Sequence, residues 1–508
     1  MTKDVRHEVD SFGAIEVPER ALWGAQTARS LRFFAIGEQR MPAEMIHALA
    51  WVKWAAACVN GELHRLKPEK AQAIATAAER VASGEFDGEF PLSVWQTGSG
   101  TQSHMNINEV VARLAMRDLQ SRRGALQPLR PVDAHDEVNL GQSSNDVFPS
   151  AMHVAVALQA KARLLPALVA LRLALHDKAL AFAEVVKIGR THLQDATPIT
   201  LGQEFAAYAA QIALCEASLR QALRAVHGLA IGGTAVGNGL NTHPEFGARV
   251  AALLGRRLDL PLVPAANLLA ATAGHEALVA WHSGLRMLAI ALIKIGNDIR
   301  LMGSGPRAGL GELILPANEP GSSIMPGKVN PTQIEALAMV CAQVMGHDAA
   351  IGFAASQGQF ELNVFKPLIA LDTLDSGRLL ADAIRSFIEH CLTGLGVDAT
   401  RMAEQLQGSL MLATVLAPHI GYELAAQVAR QAQASGSTLR EAALALGATS
   451  AEDFDRWVDA RSMAMPERVR EPEPAEPSDP GRDPDADASG AACPAPAPVA
   501  GRTMSRVQ

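Results

Sequence analysis

From about Val147 to Val186 the chain is almost continuous Ala, Leu and Val with sparse charges, a composition and length that demand helix rather than strand. Pro166 is expected to kink this run. Similar runs follow at about 201–228, 272–302 and 332–351, each 20 residues or longer and apolar over more than one narrow stripe. Such helices must bury several faces, which predicts a bundle and points to partner subunits. Before residue 142, shorter helices such as 43–60 and 68–83 alternate with Gly- and Pro-marked loops. A further small helical unit is expected over about 367–465, with a clear helix at "TLREAALALG" closed by Gly447.

At roughly 150 residues per domain, 508 residues suggest about three domains. The expected division is a mixed, mostly helical domain at 1–142, a central helical bundle at 143–366, a small helical domain at 367–465 and a tail at 466–508. That tail holds nine of the 28 prolines, interleaved with Asp, Glu and Ala, and is expected to be disordered and without a catalytic role. No internal repeat is visible. With 48% hydrophobic residues, 19% charged residues and a formal charge of -8, the chain reads as mildly acidic and soluble, without general affinity for nucleic acid or anionic membrane. Cys58, Cys215, Cys341, Cys391 and Cys493 lie at least 50 residues apart, so neither a ligand pair nor a disulfide framework can be read, and a reducing cytoplasm is expected. The charged N-terminus lacks an apolar signal core, and no stretch approaches 18 uncharged apolar residues, so neither an export signal nor a membrane span is expected.

Four clusters of small polar residues interrupt the helical pattern at or near the start of apolar runs: "TGSGTQSHMN" (97–106), "GQSSND" (141–146), "GRTHLQDATP" (189–198) and "GSSIMPGKVNP" (321–331). A helix N-terminus offers unpaired N–H groups and a partial positive charge, so each cluster is a potential anion site. Taken singly, each also has a structural explanation. A residue of the SSND group can be an N-cap, His192 a surface histidine, Lys328 a solvated charge, and Gly321 and Gly327 turn residues. The fourth cluster resists that reading, because a connector needs neither paired serines nor a Lys and an Asn just before a proline-started helix. Pro331 is expected in the first helical turn, with Asn330 near the N-cap and Lys328 beside it. Lysine, amide and N–H groups together can hold a carboxylate, and the same field can stabilise a serine oxyanion.

"GSSIMPGKVNPTQ" resembles the signature loop of the fumarase/aspartase superfamily, and specifically that of class II fumarases. "WQTGSGTQS", "GRTHLQDATPITLGQEF", "GGTAVGNGLNTHPEF" and "FELNVFKP" are similar in order and spacing, and the likeness runs from "DSFGAIEVP" to "FDRWV". The resemblance implies a mainly α, three-domain fold whose long central helices pack into a homotetramer, with sites drawn from three subunits. It also implies reversible hydration of a small dicarboxylate, fumarate, to (S)-malate without metal or organic cofactor. By that likeness Ser322 is the carbon base, His192 handles water and its proton, and Glu335 orients the histidine. Substrate carboxylates are expected at Ser99, Gly100, Thr101, Ser143, Ser144, Asn145, Thr191, Ser323, Lys328, Val329 and Asn330.

The chain departs from the family pattern twice. The segment that corresponds to an HPND motif reads Asp133, Ala134, His135 and Asp136, so the accessory anion site that includes Arg130 is expected to be weakened or lost. His104 stands where Asn is usual, beside the expected pocket. An aspartate ammonia-lyase or a lyase for a related C4 dicarboxylate, and, in another class, a catalytically silent helical scaffold, are the alternative readings.

Overall fold

A computed structural model describes residues 4–123 and 130–465. It opens with a hairpin of β1 (Val5–Asp10) and β2 (Gly13–Pro18), followed by α1 (Ala25–Phe33), α2 (Ala43–Glu62), α3 (Pro68–Ala82) and α4 (Thr101–Arg123). Next come α5 (Ser144–Gln159), α6 (Leu165–Ala181), an antiparallel hairpin of β3 (Val186–Thr191) and β4 (Gln194–Thr200), and α7 (Leu201–Val226). Between α7 and the long α10 (Glu276–Met302) lie β5 (Gly228–Leu229), α8 (Phe246–Leu258), β6 (Val263–Pro264) and α9 (Leu268–Ala273). After β7 (Leu313–Ile314) come α11 (Thr332–Ala355), the short β8 (Gly358–Gln359) and β9 (Leu362–Asn363), and α12 (Lys366–Phe387). β10 (Gly396–Val397), six short α-helices between Ala399 and Ala464 and a 3-10 turn at Leu410–Val415 complete the described chain. The fold is mainly α, as the apolar runs predict.

The long helices pack as a bundle: α6 on α7, α7 on α10, α10 on α11 and α11 on α12. One continuous core runs from Leu22 to Met402, including Leu49, Phe148, Leu168, Tyr208, Trp281 and Leu374. A satellite core gathers Leu406, Leu416, Val428, Ala443 and Phe454, and Ile188 of β3 enters it. The tail, 466–508, lies outside the described residues.

The run containing Pro166 is interrupted as expected, but just before the proline. A wide turn at Ala160–Leu164 separates α5 from α6, and Pro166 sits in the first turn of α6, where its missing N–H costs least. Pro331 is the N-cap of α11 rather than its first residue, a shift of one position. The expectation about membrane-length stretches needs correction. By length and composition alone, Ser144–Ala181, Glu276–Met302 and Thr332–Ala355 are apolar enough to cross a membrane. The first two are packed into the bundle, whereas the most apolar window of the third is only 22% buried, so α11 leaves an apolar face uncovered in a single chain.

Candidate active site

Segments 97–104, 143–148, 232–241 and 360–367 meet within one chain. Ser99, Gly100 and Thr101 form the turn into α4, and Ser99 Oγ lies 2.8 Å from Thr101 Oγ1. Gly100 has φ +77°, and a Cβ there would stand 2.3 Å from the Phe148 ring, so the turn can press on α5 only as glycine. The 360–367 segment closes from another side: Lys366 N–H donates to the Gly98 carbonyl at 3.0 Å. Buried Lys366 Nζ donates to the Thr272 and Asn363 carbonyls, and burial pushes its pKa down to about 7.

Ser143 caps α5 through a reciprocal box in which its hydroxyl accepts from Asn145 N–H and its own N–H donates to Asp146. Asp146 is fully buried and also accepts from the N–H groups of Gly232 and Thr234, which binds "GGTAVGNGLN" to the same corner. Asn145 Nδ2 donates to the Ala235 carbonyl at 2.8 Å. Burial raises the Asp146 pKa, opposed by these backbone donors and by Lys53.

Behind Ser144 lies a pair for which sequence reasoning supplies only half. His104 Nδ1 is 2.7 Å from Ser144 Oγ, and its Nε2 is 2.5 Å from Lys53 Nζ, which also donates to Asn139 Oδ1 and Gln142 Oε1. Lys53 and His104 are both wholly buried. Burial, and then the neighbouring lysine, hold the His104 pKa well below the imidazole range. Lys53 sits in the apolar stretch "ALAWVKWAAA", where a lone Lys amid buried positions was the available signal.

The third cluster forms the β3–β4 hairpin rather than a helix start. Thr191 pairs with Gln194, leaving His192 and Leu193 as a two-residue tip with φ 55° and 60°. Such a tip normally takes Asn-Gly, so two non-glycine residues here carry backbone strain of about 1–3 kcal/mol each. Thr191 and His192 are exposed and Leu193 is 76% exposed. The root is firm: Lys187 and Arg190 both pair with Glu312, which is fully buried, and Lys187 also pairs with Glu204.

The 321–331 loop is closed at its base by Gly321 N–H to the Lys328 carbonyl at 3.1 Å and by Asn330 Nδ2 to the Gly321 carbonyl. Ser322 Oγ accepts from the N–H groups of Ile324 at 3.3 Å and Met325 at 3.0 Å. Ser323, Lys328 and Val329 are exposed, as is Glu335 in the first turn of α11. Among the described residues no hydrogen bond or ion pair joins this loop, the His192 tip and the Ser144 corner to one another.

The segment of the accessory site is a tight turn. Asp133 accepts from His135 and Asp136 N–H groups, so its carboxylate is taken up locally. His135 lines two cavities, of about 780 and 560 Å³, while Ala134 borders the first and Asp136 the second. Arg130 is exposed at the edge of the described segment.

Residues 13–346 match the family described as Lyase, and residues 412–465 match the one described as Fumarase C C-terminus. A class II fumarate hydratase of Chromobacterium violaceum is 61% identical over 91% of this chain and 100% of its own, and one of Thermosynechococcus vestitus is 57% identical over 91% and 98%. The crystal structure of a class II fumarase from Schistosoma mansoni superposes with a TM-score of 0.89 at 43% identity, covering 91% of this chain and all of that one. The fold and its motifs therefore define a lyase of the fumarase/aspartase type. Within that class, the chain belongs to the class II fumarate hydratase family.

Proposed function

We propose that the protein is a hydro-lyase that interconverts fumarate and (S)-malate, with Ser322 as carbon base. The observation that carries this reading is the pair of N–H groups, from Ile324 and Met325, aimed at Ser322 Oγ. Donors to an oxygen favour its anionic form, which a serine needs if it is to take a proton from carbon. In the dehydration direction the malate C–H proton passes to Ser322, and the electron pair moves into the adjacent carboxylate, giving a doubly charged aci-carboxylate. Hydroxide then leaves the neighbouring carbon and takes a proton from the acid presented with His192, which Glu335 orients. Ser99, Gly100, Thr101, Ser143, Ser144, Asn145 and Thr191 supply hydroxyl, amide and N–H donors for the carboxylates. Ser323, Lys328, Val329 and Asn330 close the pocket, and Lys328 brings the compensating charge.

The active unit is a homotetramer with sites shared between subunits. The uncovered face of α11, with Met339 at 68% and Phe353 at 65% exposed, and the open surfaces of the tip and loop both support this assembly. A cytoplasmic location accords with Cys58, Cys215, Cys341 and Cys391 all being unpaired. Incubating purified protein with malate, aspartate or methyl-substituted malates, while following ultraviolet absorbance of the unsaturated product, tests the reading. Signal with malate is expected; strong signal with aspartate and none with malate overturns it.

A further inference from the structure

Lys53 and His104 are buried on different helices, α2 and α4, behind the corner where the two carboxylate-binding turns meet, and neither has a role in the chemistry above. The amides around Lys53 define what its amine can do. Asn139 Nδ2 donates to the Gln142 carbonyl, and Gln142 Nε2 donates to the Val138 and Leu140 carbonyls, so both side-chain oxygens turn toward Nζ. Nζ gives each oxygen one N–H, at 3.0 and 2.9 Å, and its third position faces His104 Nε2. As an ammonium it donates there, so Nε2 is bare and the ring hydrogen sits on Nδ1. Nδ1 then donates to Ser144 Oγ, and the hydroxyl hydrogen is left for an acceptor outside the chain's own network. An uncharged amine would reverse every step. Nζ would accept from Nε2–H, Nδ1 would accept from Ser144, and the half-buried serine would offer only lone pairs to an incoming anion. Burial favours that neutral form; the Asp146 carboxylate, gripped by the backbone N–H groups of Ser143, Gly232 and Thr234, opposes it.

We propose that Lys53 and His104 are positioning residues: a charged Lys53 fixes the His104 tautomer and thereby holds the Ser144 hydroxyl as an outward donor to a substrate carboxylate. The inference rests on the reading of Ser144 as a carboxylate ligand.

Neutron diffraction from deuterium-exchanged crystals of the unmodified protein tests it directly. A deuteron on His104 Nδ1, none on Nε2, and three on Lys53 Nζ are expected; a deuteron on Nε2 overturns the proposal. In steady-state assays with malate, Lys53→Met and His104→Leu should each raise KM about tenfold while changing kcat less than about threefold. His104→Asn, whose amide N–H stands near the place of Nδ1, should recover most of that loss. Once Ser144 is Ala, the same changes should add little to KM. A raised KM in Ser144→Ala with unchanged KM in Lys53→Met and His104→Leu rejects the proposal and keeps the ligand role of Ser144. An unchanged KM in Ser144→Ala rejects that role itself. Where a substituted protein fails to fold, the neutron result decides.

Discussion

At the corner where α4 and α5 begin, polar groups are paired inside one chain: Ser143 with Asn145 and Asp146, Ser144 with His104, Asn145 with Ala235. At the His192 tip and along the 321–331 loop, which carry the side chains proposed for the proton transfers, most of the surface is open, with Leu193 and Ile324 exposed at 76% and 83%. Both regions are glycine-bounded and small-residue rich, so composition does not separate them. The difference lies in where their partners are. The corner is satisfied and covered within the chain, whereas the tip is strained and the loop, although closed at its base and around Ser322, leaves most of its length exposed.

The largest expected break falls on the open region. Ser322→Ala should lower kcat by about 10³-fold or more, and His192→Gly by about 10²-fold or more. Stability should be unharmed in both, and in His192→Gly it should be equal or up to about 1 kcal/mol higher, because glycine relieves the left-handed strain. Kinetics beside urea denaturation checks this, and near-normal turnover in either variant defeats its assignment. If the two open elements serve one site from different subunits, mixing Ser322→Ala and His192→Gly chains by unfolding and refolding together should restore about a quarter of wild-type activity, the product of two halves. No recovery from a correctly assembled mixture would place both groups on the same subunit.

A matched pair of glycines sharpens the contrast energetically, since Gly100 and Gly327 share φ +77° but only Gly100 faces a ring, with nothing within 4 Å of a Cβ on Gly327. Gly100→Ala should cost about 2–4 kcal/mol from strain plus the clash, and Gly327→Ala about 1 kcal/mol from strain alone. Equal denaturant midpoints for the two variants would deny the difference in packing. The smallest effect is gradual. His104, His153, His275 and His282 are held neutral mainly by burial, so their folded pKa values lie below that of the unfolded chain. Below about pH 6.5 the unfolded state therefore binds more protons, and stability falls as pH drops from there toward the folded values, by at most about 1.4 kcal/mol per pH unit per group. Urea midpoints from about pH 7.5 down to about pH 5.5 should show this decline, and a flat profile would contradict it.

The helical core was legible because its period and length leave few alternatives: the run at about 201–228 is α7, Leu201–Val226, and that at 332–351 is α11, Thr332–Ala355. The SSND cap was legible for the same local reason, since Ser, Asn and Asp favour an N-cap where an apolar helix follows; that Ser143 and Asp146 close it as a capping box is seen in the structure. Partners brought together by tertiary packing were not. Lys53 and Ser144 are 91 residues apart in sequence and meet only through His104, and no local pattern joins them. The β3–β4 hairpin escaped because its tip is His-Leu, whereas the turn signal that sequence offers is Asn-Gly or Asp-Gly.

That hairpin also has a mechanical meaning. Its root, Ile188, is embedded in the satellite core built by the C-terminal helices, while its far end carries His192. Four residues of strand at about 3.3 Å each make a lever arm of about 13 Å. A tilt of about 5° at the root would carry the imidazole about 1 Å, a displacement that can change a rate by about 10²-fold. On the role proposed for His192, the C-terminal helices that pack around Ile188 thus set where its ring points.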